Sequence, residues 1–284
     1  MQYEAPETLD AAVSLLAGAS GDARILAGGT DILVQFHIDT SDPDLLVDIK
    51  KISELNTITQ ADGSFRIGAA TTGAELGEHP DVKKVWPGVV EALELIGSTQ
   101  VQGRATIGGN LCNASPAADV IPALIAAAAV ANVIGVNGSR DVAVEDIPVG
   151  PGKNSLAKDE IVVSISLPAR GARSGDAYLR FIPRTEMDIA VVGVGISLEL
   201  DAAGICTAAR VGLGAVAERA LLVPKAADAI IGTSLDDAAM DKLAAAVSAA
   251  CRPINDRRGT IEFRTDVAGV LARRTAKIAY DRAG

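Results

Sequence analysis

Two glycine pairs constrain this chain most. The first lies in Ala27-Gly28-Gly29-Thr30-Asp31, and the second, about eighty residues later, in Thr106-Ile107-Gly108-Gly109-Asn110. Paired glycines let two pieces of backbone, or a backbone and a ligand, come closer than a side chain allows. The first pair follows a short strand, Arg24-Ile25-Leu26-Ala27, and Thr30 is placed to cap a helix from Asp31 to Phe36. Such a junction turns main-chain amides toward an anion, although a plain tight turn has the same pattern. The second pair sits in a stretch of small residues and amide side chains that closes at Asp119. Its glycine and polar content predicts a long loop over Thr99 to Asn113, and loops of that length inside a domain are usually functional. Gly-Gly-Asn would offer amides to a diphosphate. Asn113, Ser115 and Asp119 would offer polar groups to ribose or ribityl hydroxyls. A plain surface loop is the alternative.

The apolar mass around these segments is aliphatic. Hydrophobic residues make up 49% of the 284, yet there are only one Trp, three Tyr and four Phe. That length predicts about two domains with ample core. A net charge of −10 argues against a nucleic-acid binder, which needs a basic surface. The hydrophobic content excludes disorder. The opening MQYEAPETLD has neither a basic nor an apolar leader region, so no signal peptide is expected. Val120 to Ser139 carries no charge, but Pro122, two Asn and an alanine-rich middle favour a buried helix and strand over a membrane span. Cys112, Cys206 and Cys251 lie far apart, predicting a reduced, cytoplasmic chain. Three scattered Cys and two His offer no metal-ligand spacing and no iron–sulfur ligand set, so no metal site is expected on this chain.

Along the chain, helices are predicted at Thr8 to Gly18, from Thr72 toward His79, at Val89 to Ile96 and at Ile121 to Ala131. Strands are predicted at Leu45 to Ile49, Phe65 to Ala69, Val133 to Val136 and Ile161 to Leu167. The small, polar run from Pro168 to Asp176 reads as a domain boundary. Beyond it come strands at Ala190 to Leu200 and Ile205 to Leu213. Helices follow at Ala220 to Ile231, Leu235 to Cys251 and Glu262 to Arg282, an α+β order.

Other motifs carry less. Gly212-Leu213-Gly214-Ala215-Val216-Ala217 matches a dinucleotide fingerprint with Asp236 about twenty residues on, but no strand precedes that acid. Gly150 to Ser155 is only superficially like a phosphate loop. There is no GxSxG and no evident acid/base pair of carboxylates, so no catalytic residue is assigned.

Taken together, AGGTD and TIGGNLCNASPAAD resemble the FAD-binding, medium subunit of the molybdenum hydroxylases, the group of carbon monoxide dehydrogenase and xanthine dehydrogenase. The resemblance continues through DEIVVSISLP, FIPRTEMDIAVVGVG and RRGTIEFRTDVAGVLARR, and so covers nearly the whole chain. It implies an FAD-binding fold of the vanillyl-alcohol oxidase (PCMH) type in two α/β subdomains, about 1–55 and 56–170. A C-terminal α+β domain with a small antiparallel sheet, 171–284, would follow. It further implies that Arg24, Ile25, Leu26, Ala27, Gly28, Gly29, Thr30 and Asp31 form the first FAD loop. Ala105, Thr106, Gly108, Gly109, Asn110, Asn113, Ala118 and Asp119 would form the second. Ile96 and Gly97 would pack near the flavin ring, Ile161 and Val162 would lie on a cofactor-side strand, and Arg180 stands where relatives often carry Lys.

By the same resemblance the chain would relay electrons through FAD. They would come from [2Fe-2S] clusters on a small partner and go to NAD, a quinone or another acceptor. A large partner would hold the molybdenum cofactor, in a dimer of heterotrimers. The cysteine count excludes the extra iron–sulfur segment that some relatives insert. A stand-alone flavin oxidoreductase of the same fold, or a dinucleotide-binding scaffold using the GLGAVA segment, are the alternative functions.

Overall fold

The computed structural model describes residues 1–38 and 40–284. Its first unit runs β1 (Gln2–Glu4), α1 (Leu9–Gly18), β2 (Ala23–Leu26), α2 (Ile32–His37) and β3 (Leu45–Asp48). The strands form a parallel sheet in the order β1-β3-β2. All four residues of β3 are buried, as a central parallel strand requires. Helix α1 is capped by the Thr8 side chain and packs Ala12, Val13 and Leu16 onto Leu45 and Val47. Strand β1 escapes sequence reading because it is a short, polar edge strand. Helix α2 has no buried side chain.

The second unit begins with β4 (Ile58–Ala61) and β5 (Ser64–Gly68). Five short helices follow: α3 (Gly73–Glu78), α4 (Pro80–Val85), α5 (Pro87–Glu94), α6 (Thr99–Gln102) and α7 (Ile107–Asn113). Then come α8 (Val120–Ala126), β6 (Val130–Gly135), β7 (Gly138–Ala143), the hairpin β8 (Pro148–Gly150) and β9 (Lys153–Asn154), and β10 (Ile161–Leu167). Five of the strands make an antiparallel sheet, β4-β5-β10-β6-β7. The stretch expected to be a loop from Thr99 to Asn113 holds two helices. Helix α7 forms despite its glycines because Thr106 caps it and Ile107 and Leu111, one turn apart, are both fully buried. The alanine helix stops at Ala126, five residues earlier than read, because Ala128 turns to φ +52 and Val130 already belongs to a strand. An alanine run carries no stop signal of its own.

The third unit is an antiparallel sheet of β11 (Ser174–Phe181), β12 (Val192–Leu200), β13 (Cys206–Gly214) and β14 (Leu221–Leu222). It is covered by α9 (Pro224–Asp228), α10 (Asp237–Ala250) and α11 (Ile261–Ala283). Strand β11 starts inside the run read as a boundary. Residues 172–173 form a turn, whereas Gly175 is a packing contact: a Cβ there would lie 1.9 Å from the Ala279 carbonyl oxygen of α11. The expected helix from Ala220 is a short strand first, and the helix begins only at Pro224. No described helix is long and apolar enough to cross a membrane.

Helix α8, buried at all seven positions, joins the second and third units. Gly195 and Gly212 leave room for it, since Cβ atoms there would lie 2.5 and 2.2 Å from the Pro122 carbonyl oxygen. The glycines of GLGAVA therefore lie in strand β13 and serve helix packing. At the N-terminus of α8, Asp119 accepts hydrogen bonds from the Tyr178 hydroxyl and Arg180 Nη1 of β11, both at 2.8 Å. A second joint sets Arg170 on the Val85 carbonyl and on Asp176, each at 2.7 Å, with its guanidinium 4.1 Å from the Trp86 ring.

Replacing Gly212 by Ala is expected to lower stability by about 1–3 kcal/mol through overpacking, read as a fall in the denaturant midpoint. Asp119→Ala strands a buried guanidinium and is expected to cost about 3–5 kcal/mol, while the paired Asp119→Leu/Arg180→Met replacement recovers most of that loss. Burial pushes the Asp119 carboxyl up to about 6, against the pull of Arg180 and Tyr178. Folding therefore takes up a proton there between the ordinary 3.8 and about 6. This group adds stability as the pH falls through that window, and a melting-temperature profile of Asp119→Asn should lack that slope.

Candidate functional site

A cleft of about 590 Å³ opens between the first and second units. Its floor is made where the two glycine segments meet. A Cβ on Gly28 would lie 1.8 Å from the Arg104 carbonyl oxygen, so only glycine lets the first loop reach the chain that leads into α7. Gly29 turns the backbone at φ +83 into α2. On the other side a Cβ on Gly108 would lie 2.6 Å from the Ala69 carbonyl oxygen. The paired glycines thus bring strands, helices and loops together before they meet any ligand.

The donors are divided unequally between the two segments. The amides of Gly28, Gly29, Thr30 and Asp31 have no acceptor among the described residues. Those of the second segment are already used: Ile107 N–H donates to Thr71 O, Gly108 N–H to Ala69 O, and Gly109 N–H to Thr106 Oγ1. The second segment offers side chains instead. Asn110 Oδ1 is buried with no hydrogen-bond partner among the described residues, which is costly unless a ligand supplies one. Asn113 Oδ1 accepts only a long bond, 3.4 Å, from Gln35 Nε2.

Of the residues expected at the site, Arg24, Ile25, Ala27, Gly28, Gly29, Thr30, Asp31, Ile96, Ala105, Thr106, Gly108, Gly109, Asn110, Asn113, Ile161 and Val162 line this cleft. Leu26, Gly97, Ala118, Asp119 and Arg180 do not. Leu26 is buried beneath the first loop. Gly97 accepts the Met187 amide at 3.3 Å and turns the chain at φ +58. Ala118 is buried one residue before Asp119, which is occupied with Tyr178 and Arg180.

Sequence reading missed part of the wall. Gln35 and Ile32 face the cleft from α2, and Gly152, Asn154, Leu156, Ala157 and Lys158 face it from the stretch before β10. The GPGKNS segment is drawn there because Gly152 N–H donates to Ala114 O and Asn154 Nδ2 to Cys112 O. Its glycines were the available signal, and the phosphate-loop spacing was the wrong test of it. Cys112 also lines the cleft. Burial pushes its thiol up to about 12, so it is a neutral filler. Among the described residues no group of three or more His, Cys, Asp or Glu is placed to hold a metal ion.

The cleft therefore combines a row of free amides, one unpartnered buried acceptor, aliphatic walls and a volume in the range of cofactor sites. That donor set suits a molecule with an anionic linker and long apolar and polar arms, as FAD is. Comparisons with known proteins agree. Residues 1–170 match the family of the FAD binding domain in molybdopterin dehydrogenase, and residues 177–279 match the CO dehydrogenase flavoprotein C-terminal domain. The carbon monoxide dehydrogenase medium chain of Afipia carboxidovorans is 32% identical over 99% of this chain and 97% of its own length. The xanthine dehydrogenase FAD-binding subunit of Escherichia coli O157:H7 is 31% identical, with the same coverage. A solved carbon monoxide dehydrogenase from Hydrogenophaga pseudoflava superposes with a TM-score of 0.96 at 32% identity, over 100% of this chain and 98% of that one. With both of its halves matched and its fold shared from end to end, the chain belongs to the FAD-binding medium-subunit family of the molybdenum hydroxylases.

Proposed function

We infer that this chain is the FAD-carrying electron-transfer subunit of a heterotrimeric molybdenum hydroxylase. Electrons would reach it from [2Fe-2S] clusters on a small partner, and a large partner would hold the molybdenum cofactor. The final acceptor would be NAD, a quinone or a comparable carrier, and the assembly a dimer of heterotrimers in the cytoplasm. The observation that carries this reading is the row of free amides at Gly28 to Asp31, set across the cleft from the unpartnered Asn110 Oδ1.

FAD, when bound, supplies the two-electron chemistry that no side chain here offers. The residues of this chain bind and orient it. A protein of net charge −10 has no general attraction for a diphosphate, so the local amides must provide it. Asn110 and Asn113 add side-chain hydrogen bonds, and the aliphatic faces of Ile25, Ile96, Ile161 and Val162 give apolar cover. Arg180 is already neutralised by Asp119, which supports a role in fixing β11 to α8. We read residues 1–170 and 171–284 as two domains, supported by the separate core of the third unit.

The first test is the visible spectrum of the purified chain, followed by denaturation and identification of any released cofactor. An oxidised-flavin spectrum with FAD released supports the reading. A colourless chain that also refuses added FAD, alone and with its partners, ends it. Asn110→Ala is expected to weaken FAD binding by about two- to tenfold, the worth of one net hydrogen bond, in an equilibrium titration. The melting temperature of the FAD-free variant should not fall, because the lost acceptor has no partner there.

A further inference from the structure

We propose that α2 is a latch over the cleft, closed by Gln35 on Asn113, which governs how fast the bound cofactor leaves. The proposal rests on FAD being the occupant. Helix α2 reads Ile-Leu-Val-Gln-Phe-His, yet none of its side chains is buried, and Leu33 and Val34 are more than half exposed. A segment with so little packing opens at low free-energy cost. On its N-terminal side it hangs from Gly29, whose φ of +83 is a conformation natural to glycine. Two of its side chains, Ile32 and Gln35, line the cleft.

The polar ties across the cleft differ in kind. In one, Lys158 Nζ donates to the Ala19 carbonyl, joining the two walls directly. In the other, Gln35 Nε2 stands 3.4 Å from Asn113 Oδ1, where a settled N–H···O bond spans about 2.9–3.0 Å. The partner is firm: Asn113 ends α7, which Ile107 and Leu111 anchor in the core. A small shift of α2 toward Asn113 therefore completes that bond. Cofactor between the walls gives α2 something to pack against, and Gln35 then holds it there. Gln35 is thus a positioning residue for cofactor retention.

The test uses the full chain, or the complex with which it purifies, with and without FAD. Hydrogen exchange read by mass spectrometry should show residues 32–37 exchanging faster than α1 without FAD and slowing when FAD is added. Gln35→Ala, loaded with FAD and diluted, should release flavin about three- to tenfold faster, as loss of one hydrogen bond allows. The melting temperature of its FAD-free form should match the unsubstituted chain, because α2 contributes no buried side chain. If FAD leaves Gln35→Ala at the unsubstituted rate, or if α2 is equally protected with and without FAD, the latch is wrong while the cofactor reading stands. If the unsubstituted chain takes up no FAD in either form, both fall together.

Discussion

The contact between Gly28 and the Arg104 carbonyl is the joint on which the site depends. It brings a parallel sheet built from the first fifty residues against an antiparallel sheet assembled from strands about a hundred residues apart. No side chain fits in that space. Everything the cleft offers follows from the approach: the amides from Gly28 to Asp31 have no acceptor among the described residues, and α7 lines the same cleft. Glycine here acts first as a structural spacer, and its value to a bound anion comes second.

The same economy recurs in the third unit. Gly175, Gly195 and Gly212 each hold open a place for a carbonyl of a packed helix. With so few aromatic residues, the core gains density by moving backbones together instead of filling gaps with large rings. Polar groups caught in these close joints must then be paired. Asp119 with Tyr178 and Arg180, and Asp176 with Arg170, are the two places where that pairing fixes one unit to another.

How much of this was legible in the residues depended on where the information lies. Strand β10 could be read to the residue, because its apolar run is bounded at both ends. Thr72 was read as opening a helix, and in the structure it caps α3, with Glu75 completing a capping box. The family was legible from two motifs far apart, and much of the cleft wall with it. Helix α7 was not, because glycine and asparagine argue locally for a loop and only burial of Ile107 and Leu111 overrules them. Nor was the division of labour between the glycine pairs. Whether an amide is free depends on Ala69 and Thr71, which lie nearly forty residues away and carry no mark of that role. The pairing of Asp119 with Tyr178 and Arg180 was hidden for the same reason: nothing in the local sequence marks it.

The joint at Arg170 has one more consequence. Trp86 is the only tryptophan of the chain, and it lies 97% buried with the Arg170 guanidinium against its ring. It sits on the second unit, while Arg170 is held by Asp176 at the start of the third unit's sheet. Its fluorescence therefore reports on this seam. A change in that signal accompanies loss of the Arg170 contact as the C-terminal sheet lifts, or loss of the second unit's core, in which Trp86 is also packed.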